Sequence, residues 1–159
     1  MPDTQHERGE PDSKSRLRLW LRLLKLSREI DARLREQLRA EFNTTLPRFD
    51  VMAALNRFPE GLKMSQLSGV LRVSNGNVTG IVDRLADEGV AERVAVPGDR
   101  RASVVRLTSA GRREFARQAA AHEAWIDTLL GDVSRDEAEE ITRRLALIDA
   151  TRSDERTDL

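Results

Sequence analysis

Asn75 and Asn77 stand two residues apart in the first turn of a predicted helix over 75–88, and Arg100 and Arg101 stand side by side at a predicted turn beyond it. An asparagine amide carries one acceptor and two donors, so it can pair bidentately with the edge of an adenine. The first turn of a recognition helix is also where base edges are commonly touched. Asparagine equally favours helix starts, and for Asn75 that reading is nearly as strong. Paired arginines on an exposed turn suit a narrow minor groove, where the negative potential is enhanced. A solvated turn is the alternative for them. Asp99 beside them is expected to brace one arginine.

The helix that carries the asparagines has two faces. Val78, Ile81, Val82 and Leu85 recur at i, i+3, i+4 and i+7, which predicts one buried side. The other side holds Gly76, Thr79, Gly80, Asp83 and Asp87, with Asn75, Asn77 and Arg84 at its margins and no large apolar group. A glycine inside a helix costs up to about 1 kcal/mol relative to alanine. That cost is tolerated where something must approach the backbone closely, as a major groove would; drift on a solvated face explains it as well.

The surrounding elements follow from period and punctuation. Leu17, Trp20, Leu21, Leu24, Ile30, Leu34 and Leu38 predict one long helix over 15–41, broken at Asn43-Thr44-Thr45. Pro47 opens a second helix that ends near Arg57, with Phe49, Met52, Ala53 and Asn56 facing inward. Phe58-Pro59-Glu60-Gly61 is a turn. A short helix over 64–71 and a tight link at Arg72-Val73 lead to Ser74, an N-cap for the helix at 75–88, which Gly89 closes. The period then switches to two. Strands over 90–96 and 102–107 flank a tip at 97–101. Thr108 caps a helix that runs to Leu130 and stops at Gly131. Ser134-Arg135-Asp136-Glu137 is a capping box for the last helix, whose stripe is Ala138, Ile141, Leu145 and Ile148.

The fold class is therefore mainly α with a small β-hairpin wing. It is a winged helix-turn-helix over 46–108, flanked by N- and C-terminal dimerisation helices at 15–45 and 109–150. Residues 1–14 and 151–159 are polar and read as disordered tails. The dimer has its own argument. The first helix has more apolar length than a small winged domain can cover, and Trp125, Ile126, Leu129, Leu130, Ile141, Leu145 and Ile148 also need burial. Packing two chains together covers both sets and places two reading heads about one DNA turn apart on an inverted repeat. An intrachain helical bundle is the alternative.

Composition narrows the function. The chain has 27 basic and 27 acidic residues and no cysteine. The zero balance is uneven: residues 1–62 carry +2, residues 63–113 carry +4 and residues 114–159 carry −6. Polyanion binding depends on the local field, so the sum does not argue against nucleic acid. The absence of cysteine excludes disulfides, thiol redox sensing, zinc–thiolate sites and cysteine nucleophiles. No metal site or cofactor is expected. No stretch predicts a membrane span or a secretory signal, so a cytoplasmic location is expected. An enzyme is disfavoured. Of two histidines, His6 lies in the tail, no phosphate-binding glycine loop is present, and Glu139-Glu140 reads as an exposed helix face.

The run Ser65-Gln66-Leu67, then Val73-Ser74-Asn75-Gly76-Asn77-Val78-Thr79-Gly80-Ile81-Val82-Asp83-Arg84-Leu85, then Glu88-Gly89-Val90 and Arg93, then Asp99-Arg100-Arg101 and Val105-Arg106-Leu107-Thr108-Ser109-Ala110-Gly111 resembles the core signature of the MarR family. The resemblance implies a homodimeric regulator, usually a repressor released from its operator by a ligand. It implies that the helix at 75–88 enters the major groove of double-stranded DNA and that Arg100 or Arg101 enters the minor groove. Ser74, Asn75, Asn77, Thr79, Arg84, Arg100 and Arg101 are then the expected DNA contacts. Gly76 and Gly80 depart from the family pattern.

The family also implies a small aromatic or anionic effector in a crevice between the dimer helices and the DNA-binding lobe. Trp20, Leu24, Arg48, Phe49, Met52 and His122 are candidate lining residues, although each has an ordinary core or surface reading. The run from Leu46 to Leu55, with Ser74 to Gly80, is similar to members that control aromatic-acid catabolism, some of which respond to aromatic acyl-CoA thioesters. The competing function is a winged-helix adaptor that binds protein rather than DNA.

Overall fold

The computed structural model describes residues 11–71 and 75–155, and the side chains of these apart from 75 and 151–155. Its elements are α1 (Asp12–Phe42), α2 (Leu46–Arg57), α3 (Met64–Leu71), α4 (Asn75–Asp87), β1 (Ala91–Val96), β2 (Asp99–Leu107), α5 (Ser109–Leu129) and α6 (Arg135–Glu155). The predicted succession of four helices, a hairpin and two helices is the observed one. The link at Arg72-Val73 and the cap at Ser74 lie outside the described residues. The chain forms two units, Met1–His122 and Glu123–Leu159.

In the first unit, local chemistry sets the helix ends. α1 closes at Asn43, whose backbone is left-handed (φ 50°) and whose N–H donates to the Arg39 carbonyl. Asparagine tolerates that conformation better than most residues. Thr45 caps α2, its Oγ1 accepting from the Arg48 N–H at 3.3 Å. Thr108 caps α5: its hydroxyl accepts from Gly111 N–H at 3.0 Å and donates to the Gly89 carbonyl at 2.7 Å. Gly111 is required by a close approach. A Cβ there would stand 1.9 Å from the Val90 carbonyl oxygen, so any larger residue would push α5 off the wing.

The core of this unit is the winged domain itself. Val51, Met52, Ala54 and Leu55 of α2 pack with Leu67 of α3, with Val78, Val82 and Leu85 of α4, and with Ala91, Val105 and Leu107 of the hairpin. Val78, Val82 and Leu85 are each 0% exposed, so the predicted face of α4 is the buried one. Each such side chain contributes about 1.5–3 kcal/mol by leaving water. For α2 the single-stripe expectation is corrected. Val51, Ala54 and Leu55 are buried beside Phe49 and Met52, while Asn56 is exposed. A helix packed by α1, α3, α4 and β2 has no one inward face.

The wing also differs from its expected outline. β1 and β2 are antiparallel, with Ala91 opposite Leu107 and Ala95 opposite Ser103. The next pair is Val96 with Asp99, so Arg100, Arg101 and Ala102 are left without partners on β1. The turn is Pro97-Gly98, and the two arginines sit in a bulge of β2 rather than at the tip.

In the second unit, α6 opens on the expected capping box. Ser134 N–H donates to Glu137 Oε2 at 2.8 Å, and Glu137 N–H donates to Ser134 Oγ at 3.3 Å. Hydrogen bonding of the carboxylate to the Ser134 backbone and side chain holds the Glu137 pKa below its ordinary value. Two tail boundaries move. α1 begins at Asp12 rather than Ser15, and α6 continues to Glu155 beyond the expected end at 150. Polar composition suggested tails, but Arg, Glu and Lys are also good helix formers.

Candidate nucleic-acid interface

α4 is anchored so that its outer side stays clear. Val78, Val82 and Leu85 pin it to the core. Asp83 on its surface accepts from Arg93 of β1, Oδ1 to NH2 at 2.6 Å. Just past its end, Glu88 receives both guanidinium nitrogens of Arg48 from α2, one of them at 2.9 Å. The hydrogen bond with Glu88 raises the Arg48 pKa, and the same bond lowers that of Glu88. Two acids of this region are thereby neutralised by arginines from other elements. The charge left on the face is that of Asp87, Arg84 and the wing arginines.

Gly76, Asn77, Thr79, Gly80 and Arg84 are all exposed on α4. A Cβ at Gly76 or Gly80 would meet no atom of the described residues within 4 Å beyond the backbone of its own helix. No packing among the described residues therefore requires these glycines. Asn75 belongs to the helix, but its side chain, like Ser74, lies outside what the structure describes.

Arg100 and Arg101 are exposed in the β2 bulge. Asp99 does not brace an arginine side chain as expected. Its Oδ1 accepts from the backbone N–H of Arg101 at 3.0 Å, which shapes the bulge itself. The carboxylate is spent on the backbone, and both arginines are left exposed.

On the other flank of α4 lies a groove of about 510 Å³ that the sequence did not suggest. Arg35 and Arg39 of α1, Thr44 of the α1–α2 link, and Asn77, Gly80 and Arg84 of α4 contribute to its walls. Arg35 and Arg39 are one helical turn apart, and only the fold brings them to Arg84. Thr44 is 6% exposed, and its hydroxyl has no hydrogen-bond partner among the described residues.

None of the six residues nominated for an effector lines this groove. Trp20 is 56% exposed on α1, and Leu24 is half-buried. Arg48 is committed to Glu88. Met52 is 0% exposed inside the core, with no surface to offer. Phe49 is buried with its ring stacked on His122 at 4.7 Å and tilted against Phe115 at 5.5 Å. Of the six, Phe49 and His122 are thus brought together by direct contact. Among the described residues no group of three His, Asp or Glu gathers to hold a metal ion. No described helix is long and apolar enough to cross a membrane.

Comparison with known proteins agrees with this fold. The family model described as MarR family matches residues 42–102. The crystal structure of a MarR family transcriptional regulator from Silicibacter pomeroyi is 34% identical, covers 89% of this chain and 98% of its own, and superposes with a TM-score of 0.74. The HTH-type transcriptional regulator PecS of Dickeya dadantii is 31% identical over 91 residues. That match takes in 56% of this chain and 54% of PecS, so the chain spans about half the length of this curated relative. A mutant MarR from E. coli, solved in complex with operator DNA, shares the fold at 22% identity, with a TM-score of 0.72 over 87% of this chain and 99% of that one.

Proposed function

This chain belongs to the MarR family, and on that premise we propose that it is a transcriptional regulator that reads double-stranded DNA as a homodimer. The observation that carries the proposal is the exposed outer side of α4 beside a wing whose two arginines are exposed in the bulge that Asp99 shapes. α4 enters the major groove, where Asn77 reads a base edge and Thr79 and Arg84 meet bases or backbone. Arg100 and Arg101 reach the flanking minor groove. Asn75 and Ser74 begin the same helix and belong to the same contact. The operator complex of the E. coli relative supports this placement by analogy.

The dimer follows from what each chain leaves uncovered. Leu17, Trp20 and Leu21 of α1 are 55%, 56% and 53% exposed, and Ile141 and Ile148 of α6 are 50% and 49% exposed. Exposed apolar surface on each of these helices marks an association site. A second copy covers it symmetrically and sets two copies of α4 on an inverted repeat. Repression relieved by a small aromatic acid or an aromatic acyl-CoA completes the reading. The Phe49–His122–Phe115 cluster gives such a ligand aromatic surface nearby.

Titrating the chain against duplex DNA from its own gene neighbourhood across a range of salt tests the core of this. Wild-type affinity should fall steeply with salt. Arg100→Ala with Arg101→Ala should weaken binding to every sequence and flatten the slope by about 2, at roughly 0.9 per phosphate neutralised. Binding to no DNA at any salt would overturn the regulator and favour the protein-binding adaptor. A monomer by sedimentation at micromolar concentration would remove the paired-site arrangement. A rise in melting temperature with an aromatic acid or its thioester would identify the effector class.

A further inference from the structure

We infer that the groove between α1, the start of α2 and α4 is a phosphodiester site that grips the DNA strand on the side of the reading helix away from the wing. The inference rests on the DNA-reading proposal above and extends it to Arg35, Arg39 and Thr44. A helix with its side chains is about 10–12 Å across, and the major groove is about 12 Å wide. A helix lying in it therefore meets a phosphate strand on each flank. On one flank of α4, Asp83 is joined to Arg93, and beyond it lies the wing. On the other flank Asn77 and Arg84 form the wall of the 510 Å³ groove, opposite Arg35 and Arg39. The groove thus opens beside residues that touch DNA, and its occupant is whatever runs along that side of the helix.

The donor set suits an oxyanion. Three guanidinium groups line one space, and none of the three has an ion-pair partner within 4.0 Å among the described residues. Glu36, next to Arg35 in sequence, is engaged by Arg33. Asp50 shares an adjoining recess of about 230 Å³ with Arg35; burial raises its pKa, and the charge of Arg35 acts in the opposite sense. Thr44 adds a hydroxyl that is buried and unpartnered, and a polar group left in that state is destabilising unless something completes it. Thr45 and Pro47 bring the first turn of α2 into the same wall, where the helix dipole favours negative charge.

The test uses the full-length chain and two duplexes, one selected by the wild-type protein and one unrelated. Arg35→Gln with Arg39→Gln should weaken binding to both and lower the slope of log affinity against log salt by about 2. Base preference in a repeated selection should stay as in wild type, because phosphates carry no sequence. Arg35→Lys with Arg39→Lys should restore the slope. Arg18→Gln with Arg22→Gln removes equal charge from the N-terminal half of α1, several turns from the groove, and should leave the slope alone. Thr44→Val guards against misfolding of the arginine variant. It should melt no lower than wild type, since no bond inside the protein is lost, yet bind both duplexes several-fold more weakly. A wild-type slope in the Arg35 and Arg39 glutamine pair, or equal loss in the N-terminal pair, overturns the site. So does a glutamine pair that binds DNA normally but loses a thermal shift with benzoate, which would make the groove a small-acid pocket. If the wild-type chain itself binds no DNA, the regulator proposal fails with it; if wild type binds and the variants match it, only the groove falls.

Discussion

A methyl group added at Gly80 meets no atom of the described residues within 4 Å beyond the backbone of its own helix. Gly80 sits in the interior of α4, where alanine is favoured over glycine by about 1 kcal/mol. Gly80→Ala is therefore expected to stabilise the free protein by about 1 kcal/mol, which raises Tm by roughly 2–4 °C for a chain of this size. Gly76 lies in the first turn and should give less. DNA binding should move the other way. The new methyl projects from the face proposed to lie in the groove, between flanking Asn77 and Arg84. Lifting the helix by a fraction of an ångström stretches hydrogen bonds that need about 2.9 Å between heavy atoms. Losing two of them, at about 1 kcal/mol each, weakens binding by about 2 kcal/mol, or roughly 30-fold. Thermal melts and fluorescence anisotropy with a selected duplex read both quantities on one sample. A stabilised variant that binds with wild-type affinity would refute the approach argument and leave the glycine as drift. A destabilised variant would mean that the face of α4 is not open.

Asn77→Ala should relax base preference at one position in each half-site while keeping most of the salt slope; a selected motif identical to wild type would remove Asn77 from base reading. Glu88→Gln should cost up to about 1 kcal/mol at neutral pH by loosening the tie between α2 and the end of α4. The Glu88 pKa is lowered in the fold, so its stabilisation is present above the ordinary carboxylate pKa and is lost as pH falls through the lowered one. Wild-type and variant melting temperatures should therefore converge in acid, and a gap that persists there would show that the Arg48–Glu88 pair is not its source.

The features legible in the sequence were those set by a few consecutive residues. Thr108 and the Ser134–Glu137 box cap the helices they were expected to cap, because the capping bond spans only three residues. The buried face of α4 was legible because a helix covered on one side keeps a clean period. α2 was not, because it is covered from several directions and Val51 and Ala54 are buried as well as Met52. The wing was legible as a hairpin, but its register was not. Nothing local to Arg100 announces that Ser103, rather than Ala102, pairs with Ala95. The groove was invisible for a different reason. Arg35 and Arg39 lie in the last turns of a helix, where cations complement the dipole, so nothing about them asked for a second explanation. Only contact with residues some forty positions later gives them one.

The same distinction bears on charge. Counting along the chain suggested a basic middle segment balanced by an acidic C-terminal third. The structure shows that the field around α4 depends more on pairing than on that count. Of the acids that would oppose DNA from this helix and its end, Asp83 and Glu88 are each met by an arginine, Arg93 from β1 and Arg48 from α2, while Asp87 is exposed with no such tie among the described residues. Those two bonds also fix α4 against the wing on one side and against the core on the other. Neutralisation and positioning are thus one arrangement. Two of the acids that make the segment look weakly basic also hold the reading helix in place, while Arg84, Arg100 and Arg101, outside those ties, supply the positive field on the exposed side. A variant that lost Arg93 would therefore lose orientation and field together, which is why charge counts along this segment understate what a single arginine there does.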